Sequence, residues 1–247
     1  MDIAYGVGLV GYVPVLLYQR LAKGKKRTGW RQRLGHVPRR DGCGPCLWVH
    51  GVSAGEVNAT VPLVAALKKR FRDHAIVVSA TTDTGLDRAR KLYPNDMVIR
   101  YPLDFSRAVS RVMASVRPRA IILMELEVWP NLLAQTARAG VPVIVVNGRI
   151  EAPSVKWFTR PVLATLARRM FARVAAVGAQ DRDYAARFAA VGVPPARVAV
   201  TGSLKWDSAV VADGVDGDQL LGRILRIDPA SPLWVAGNTG DGEEEIV

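Results

Sequence analysis

Leu47-Trp48-Val49-His50-Gly51-Val52-Ser53-Ala54-Gly55-Glu56 runs from a strand-forming stretch through a glycine-bounded turn into a helix, and that order decides the fold. Leu47 to His50 is short and mostly apolar, as a buried strand is. From Glu56 to Arg72, Val57, Val61, Val64, Leu67 and Phe71 recur every three or four residues, the spacing that lines up one face of an α-helix. The alternation continues outward. Ala75 to Ala80, Met97 to Tyr101, Ala120 to Met124, Val143 to Asn147, Val174 to Gly178 and Val198 to Thr201 are further strand-like runs, separated by amphipathic stretches. This pattern predicts βαβ units, hence an α/β domain whose parallel sheet is covered by helices on both faces.

At 247 residues the chain can bury a large core, which excludes a disulfide-stapled miniprotein. Apolar residues at 49% and charged residues at 23% exclude a disordered or collagen-like chain. Lysine and arginine outnumber acids 34 to 22, a formal charge of +12, so polyanions, acidic membrane surfaces and phosphorylated or carboxylated ligands are all admissible partners. Cys43-Gly44-Pro45-Cys46 has the spelling of a thioredoxin-type centre. Such a pair follows a strand and opens a helix, whereas this one precedes a strand within a glycine- and proline-rich turn, so it reads as a loop. Neither a second cysteine pair nor clustered histidines complete a zinc site, and no metal is expected.

The first 40 residues are set apart. Ile3 to Gln19 carries no charge and as a helix would reach about 25 Å, slightly short of a bilayer core. Arg20, Lys23, Lys25, Lys26, Arg27, Arg31, Arg33, Arg39 and Arg40 follow with no acid before Asp41. Apolar first and basic second reverses the order of a secretory signal peptide. The arrangement suits an apolar wedge backed by cations on an anionic membrane surface; a buried first helix with a solvated basic flank is the alternative. A nucleic-acid surface would interleave aromatics with the cations, and beyond Trp30 this run has none, so no nucleic-acid partner is expected.

After Lys205-Trp206-Asp207, the stretch Asp213 to Asp218 reads as an acidic linker, followed by a helix from Gln219 to Ile227 and a strand from Leu233 to Ala236. These divide the chain into residues 1–40, a domain over 41–207, and 208–247. The last piece is too small to bury its own core and reads as the truncated start of a second α/β domain.

Ligands of open parallel sheets bind beyond the carboxyl ends of the strands. There the sequence places Ser53, Gly55 and Glu56, then Thr82, Asp104, Glu125, Glu127, Asn131 and Arg149. Carboxylates, hydroxyls and glycine turns on one rim suit a hydroxyl-rich ligand. Glu56 is the candidate general base, in a helix's first turn where the dipole favours a carboxylate. Ser53 stands three residues before Glu56, the spacing of a helix-capping box. Capping is equally open for Thr82, Asp104 and Asn131. Glu125 and Glu127 flank one residue and, in an extended segment, would point the same way.

Gly51-Val52-Ser53-Ala54-Gly55 also spells the G-x-S-x-G elbow of α/β hydrolases, with Ser53 as nucleophile. The one histidine after Ser53 is His74, expected at the opposite end of the next strand, which removes the base that a hydrolase needs.

Arg33-Leu34-Gly35, Trp48 to Glu56, Tyr101-Pro102-Leu103-Asp104, Glu125-Leu126-Glu127-Val128-Trp129-Pro130-Asn131, Asn147-Gly148-Arg149, Ala179-Gln180-Asp181 and Thr201 to Asp207 resemble, in order and spacing, blocks of the 3-deoxy-D-manno-octulosonic acid (Kdo) transferases. The resemblance covers essentially the whole chain. It implies a GT-B glycosyltransferase, with a complete amino-terminal Rossmann-like domain and a truncated second domain, on the cytoplasmic face of the inner membrane. It further implies inverting, metal- and cofactor-free transfer of Kdo from CMP-Kdo to a hydroxyl of the lipid A precursor. By the same resemblance Glu56 is the base, Glu125 and Glu127 are further site carboxylates, and Arg149 and Lys205 belong to matching blocks. Leu126 stands where the family has threonine and Glu151 where it has serine, and a histidine is missing from Thr239 to Glu244. The blocks that bind CMP would lie past Val247, so weak or absent activity is expected of this chain. A noncatalytic lipid-binding or interaction domain is the second reading.

Overall fold

The computed structural model describes Asp2, residues 28–207, 217–228 and 231–236, and Gly242. The apolar stretch from Ile3 to Gln19 and the cations from Arg20 to Arg27 lie outside the described residues. The chain divides into two compact units, Met1–Ser208 and Ala209–Val247.

In the first unit a short helix α1 (Trp30–Arg33) precedes β1 (Cys46–Gly51), α2 (Ala54–Arg70), β2 (Ala75–Ala80), α3 (Asp83–Leu92), β3 (Met97–Arg100), α4 (Ser106–Val116) and β4 (Ala120–Met124). It continues through α5 (Pro130–Arg138), β5 (Val143–Gly148), α6 (Ala152–Phe158), α7 (Pro161–Phe171), β6 (Ala176–Ala179), α8 (Arg182–Val191), β7 (Val198–Val200) and α9 (Leu204–Asp207). The seven strands pair in the order β3-β2-β1-β4-β5-β6-β7, and every pairing is parallel. Side chains alternate across a strand, so β1 to β5 feed two cores. Trp48, Val77, Ile99, Ile121, Leu123 and Val145 pack on one face. Leu47, Val49, Ile76, Val78 and Ile122 pack on the other. Burial of both faces explains why the strands are continuous apolar runs instead of alternating ones.

Boundaries move where a backbone group is used elsewhere. Val174 was expected to open β6, but its N–H closes the turn after α7 by donating to the Phe171 carbonyl at 3.0 Å. α2 begins at Ala54, two residues before the expected Glu56, because Ser53 takes the capping position.

In the second unit, α10 (Asp218–Ile224) starts within the stretch expected to be linker, after Gly217 supplies a left-handed turn at φ 91°. The expected linker residues Asp213 to Asp216 lie outside the described residues. Leu233 to Ala236 form no strand, and Leu233, Trp234 and Val235 are exposed. A strand needs a neighbour's backbone groups, and none pairs with this segment among the described residues.

Candidate active site

The strand order reverses between β1 and β4, with β2 and β3 to one side of β1 and β5 to β7 beyond β4. Such a switch point opens a crevice beyond the carboxyl ends of the two strands. The loop after β1 carries Ser53 and Glu56, and the loop after β4 carries Glu125 and Glu127.

Glu56 sits in the first turn of α2, partly exposed. Ser53 caps this helix: its Oγ accepts the Glu56 N–H at 3.3 Å and donates to Glu56 Oε1 at 3.1 Å. Glu56 Oε2 accepts the Val52 N–H at 3.0 Å, one residue before the cap. Capping and candidate base are therefore the same group, and a carboxylate's further lone pairs remain for a substrate proton.

Glu125 N–H donates to the Val146 carbonyl at 3.0 Å, and there the chain turns through a left-handed conformation, φ 55°. The expected extended segment is thus a turn, and Glu127 N–H reaches back to the Met124 carbonyl at 3.4 Å. A positive φ at a non-glycine residue is strained. Both carboxyls nevertheless lie within electrostatic reach of Glu56. Burial and then the Glu56 charge push the Glu125 carboxyl above its usual range, while Arg149 and Lys205 pull it down. Burial also raises Glu127, opposed by the Trp129 indole N–H bonded to its Oε2 at 2.8 Å and reinforced by Glu56 and Glu125. Arg149 is exposed and paired with Glu151 at 2.7 Å, and Lys205 arrives on α9, which packs beside α2. Glu56, Glu125, Glu127, Arg149 and Lys205 therefore form one charged neighbourhood.

Other expected contacts are absorbed by structure. Thr82 caps α3, accepting the Gly85 N–H at 3.0 Å and donating to the Val52 carbonyl at 3.1 Å. Asn131 is buried, and its Nδ2 donates to the Asp104 carbonyl and to Asp2 Oδ1. Asp104 in turn caps α5, accepting the N–H groups of Asn131 and Leu132 at 2.9 and 2.8 Å. A Cβ on Gly55 would meet nothing nearer than Ser53 Oγ at 3.8 Å, so the space over the start of α2 is open.

Two cations of the basic run are internal. Arg33 donates to the carbonyls of Thr28 and Thr81, and Arg40 to those of Val116 and Gly44. Both are buried, so neither is among the cations that face an anionic surface or a solvated flank, as the sequence reading has them.

Ser53 has ordinary extended dihedrals, φ −111° and ψ 169°, where a nucleophile elbow is strained. His74 precedes β2, at the sheet edge opposite Ser53. Cys43 is exposed and Cys46 is buried in β1, and both are free thiols. Burial pushes the Cys46 thiol up to about 11, away from a reactive thiolate. Among the described residues no group of three His, Cys, Asp or Glu side chains could hold a metal ion. No described helix is long and apolar enough to cross a membrane.

A parallel sheet of this order with charged groups collected at its switch point defines a Rossmann-like α/β domain. The fold is similar to that of a solved UDP-N-acetylglucosamine 2-epimerase, with TM-score 0.51 and 16% identity over 72% of this chain and 54% of that one. The S. aureus MnaA–UDP co-structure matches equally, with TM-score 0.51 and 16% identity over 72% and 50% of the two chains. Residues 28–208 match the family described as 3-deoxy-D-manno-octulosonic-acid transferase (kdotransferase), and the chain belongs to that family. It is 32% identical over 246 residues to the 3-deoxy-D-manno-octulosonic acid transferase of Chlamydophila psittaci, covering 98% of this chain and 55% of that protein. The Haemophilus influenzae transferase is 30% identical over 233 residues, 90% of this chain and 52% of that protein. The chain spans about half the length of the curated relatives it matches.

Sequence reasoning missed two neighbours of the site. Trp129, which orients Glu127, stands two residues beyond it, and that spacing is the signal in the sequence. His50 is the other, and a polar ring one residue before the rim of an apolar strand is the signal there.

Proposed function

We propose that this chain is the acceptor-side half of a glycosyltransferase of lipopolysaccharide synthesis, moving Kdo from CMP-Kdo to a hydroxyl of the lipid A precursor. The observation that carries the reading is the gathering of Glu56, Glu125 and Glu127 at the switch point of a chain in this family. In this reading Glu56 takes the proton of the acceptor hydroxyl as its oxygen attacks the sugar carbon of the donor. The new carbon–oxygen bond forms as the bond to CMP breaks, and CMP leaves with the electron pair, inverting that carbon. Neither metal nor cofactor takes part. Arg149 and Lys205 offset the carboxylates and attract the anionic groups of donor and acceptor. The basic chain works at the anionic surface of the inner membrane's cytoplasmic face.

Incubation with CMP-Kdo and lipid A precursor tests the reading, with Glu56→Gln as the comparison. Loss of a general base lowers turnover by about 10²–10⁴-fold. Turnover that survives the substitution removes Glu56 as base. A second reading, which the net charge of +12 favours, is a noncatalytic lipid-binding or interaction domain. Saturable binding of the precursor with no turnover, unchanged in Glu56→Gln, would favour it.

A further inference from the structure

His50 ends the apolar run of β1 directly below the crevice, and none of its surface reaches solvent. Its ring is stacked on Tyr101, with centroids 3.9 Å apart. Nδ1 faces Ser79, whose Oγ is 2.9 Å away and whose carbonyl is 3.1 Å away. Ser79 Oγ already accepts the Trp48 indole N–H at 2.7 Å. A hydroxyl that accepts one hydrogen bond keeps its own proton to donate, and Nδ1 at 2.9 Å lies within its reach. With Nδ1 accepting the Ser79 hydroxyl proton, the neutral ring carries its own proton on Nε2, and the Ser79 carbonyl is a neighbour of Nδ1 and not its hydrogen-bond partner. Burial keeps the ring neutral, pushing its pKa down to about 3.

Nε2 has no hydrogen-bond partner among the described residues, an expensive condition for a buried donor. It is aimed at the site, with Glu127 Oε2 4.0 Å away. A carboxylate shift of about 1 Å would complete a hydrogen bond.

We propose that His50 is a positioning residue, protonated on Nε2, which holds the Glu127 carboxylate from beneath while the Trp129 indole holds it from the rim. Glu127 then stays charged and oriented although Glu56 on α2 and Glu125 on the turn after β4 both repel it. The ring does this without titrating, and Ser79 and Tyr101, which it touches, carry no charge at neutral pH. The proposal rests on Glu127 being a site carboxylate, but its test needs no turnover, so its failure and that of the transferase reading are separate results.

The test is spectroscopic and uses the whole chain. Nitrogen-15 spectra of the histidine rings should find His50 neutral and protonated on Nε2 throughout the neutral range. Carbon-13 titration of the Glu127 carboxyl, assigned by its loss in Glu127→Gln, gives the second readout. His50→Asn keeps a polar atom toward Ser79 but removes the donor at the Nε2 position, and His50→Gln restores an amide N–H there. An N–H aimed at a carboxylate favours its charged form. His50→Asn should therefore raise the Glu127 midpoint by about one unit, a tenfold gain in proton affinity, and His50→Gln should return most of it. A proton on Nδ1, or a Glu127 midpoint that stays or falls in His50→Asn, overturns the proposal. Should His50→Asn fail to fold, the tautomer in the unaltered chain decides alone.

Discussion

Glu56 carries two duties on one carboxylate, since both of its oxygens are tied into the first turn of α2 while the group borders the crevice. Ser53→Ala removes the cap and one of those ties. Loss of an N-cap costs about 1 kcal/mol, which urea denaturation would register, and turnover should fall with it if Glu56 must be held in place. The paired carboxyls behave oppositely to a salt-bridged acid. Glu125 and Glu127 are raised above their usual range, so between the ordinary carboxylate pKa and the raised one the folded chain binds more protons than the unfolded chain. Their contribution therefore erodes stability as pH rises through that window, and the penalty is absent in acid. Glu127→Gln should raise the midpoint of thermal denaturation at neutral pH, with the gain vanishing as pH falls below the ordinary carboxylate range. A gain that grows in acid would contradict this assignment. The capping spacing of Ser53 and Glu56 was readable from the chain alone. The placing of Glu56 and Glu127 on one rim was also readable, but the left-handed turn at Glu125 that replaces the expected extended segment was not.

Among the elements, α5 shows how a polar rim residue becomes structure. Its first N–H groups have no partner inside the helix, and buried Asp104, from the loop after β3, accepts two of them. Asp104→Ala leaves those donors unmet and should cost about 1–3 kcal/mol in chemical denaturation, with substrate binding affected only through the fold. α1 ends at a comparable constraint. Gly35 has φ 87°, and a Cβ there would lie 2.3 Å from the Ala108 carbonyl oxygen of α4. Gly35→Ala should therefore destabilise by more than about 1 kcal/mol, read from the shift of the denaturation midpoint. Strand and helix positions were legible because burial on both sheet faces imposes apolar runs and helical periods. The segment Leu233 to Ala236 had an equally good local pattern and forms no strand, since a ladder depends on a neighbour that local pattern does not specify.

At the scale of the whole molecule, both hydrophobic cores lie within Met1–Ser208. A chain ending at Ser208 should keep a single cooperative thermal transition, and loss of cooperativity would show that Ala209–Val247 contributes to the first unit's stability. The formal charge of +12 belongs to the chain as a whole. Flotation with vesicles containing anionic lipid should weaken as salt rises, whereas attachment indifferent to both lipid charge and salt would remove the electrostatic part of the membrane reading. The sequence by itself determined the α/β class, the seven strands of the sheet, the Ser53 cap and the family, because each follows from local period, spacing or motif order. Only the tertiary structure decided that β1 and β4 are neighbours, that Arg33 and Arg40 turn inward, and that His50 lies under Glu127. These are contacts between distant segments, set by how the chain crosses over its sheet, and no local run of residues encodes that crossing.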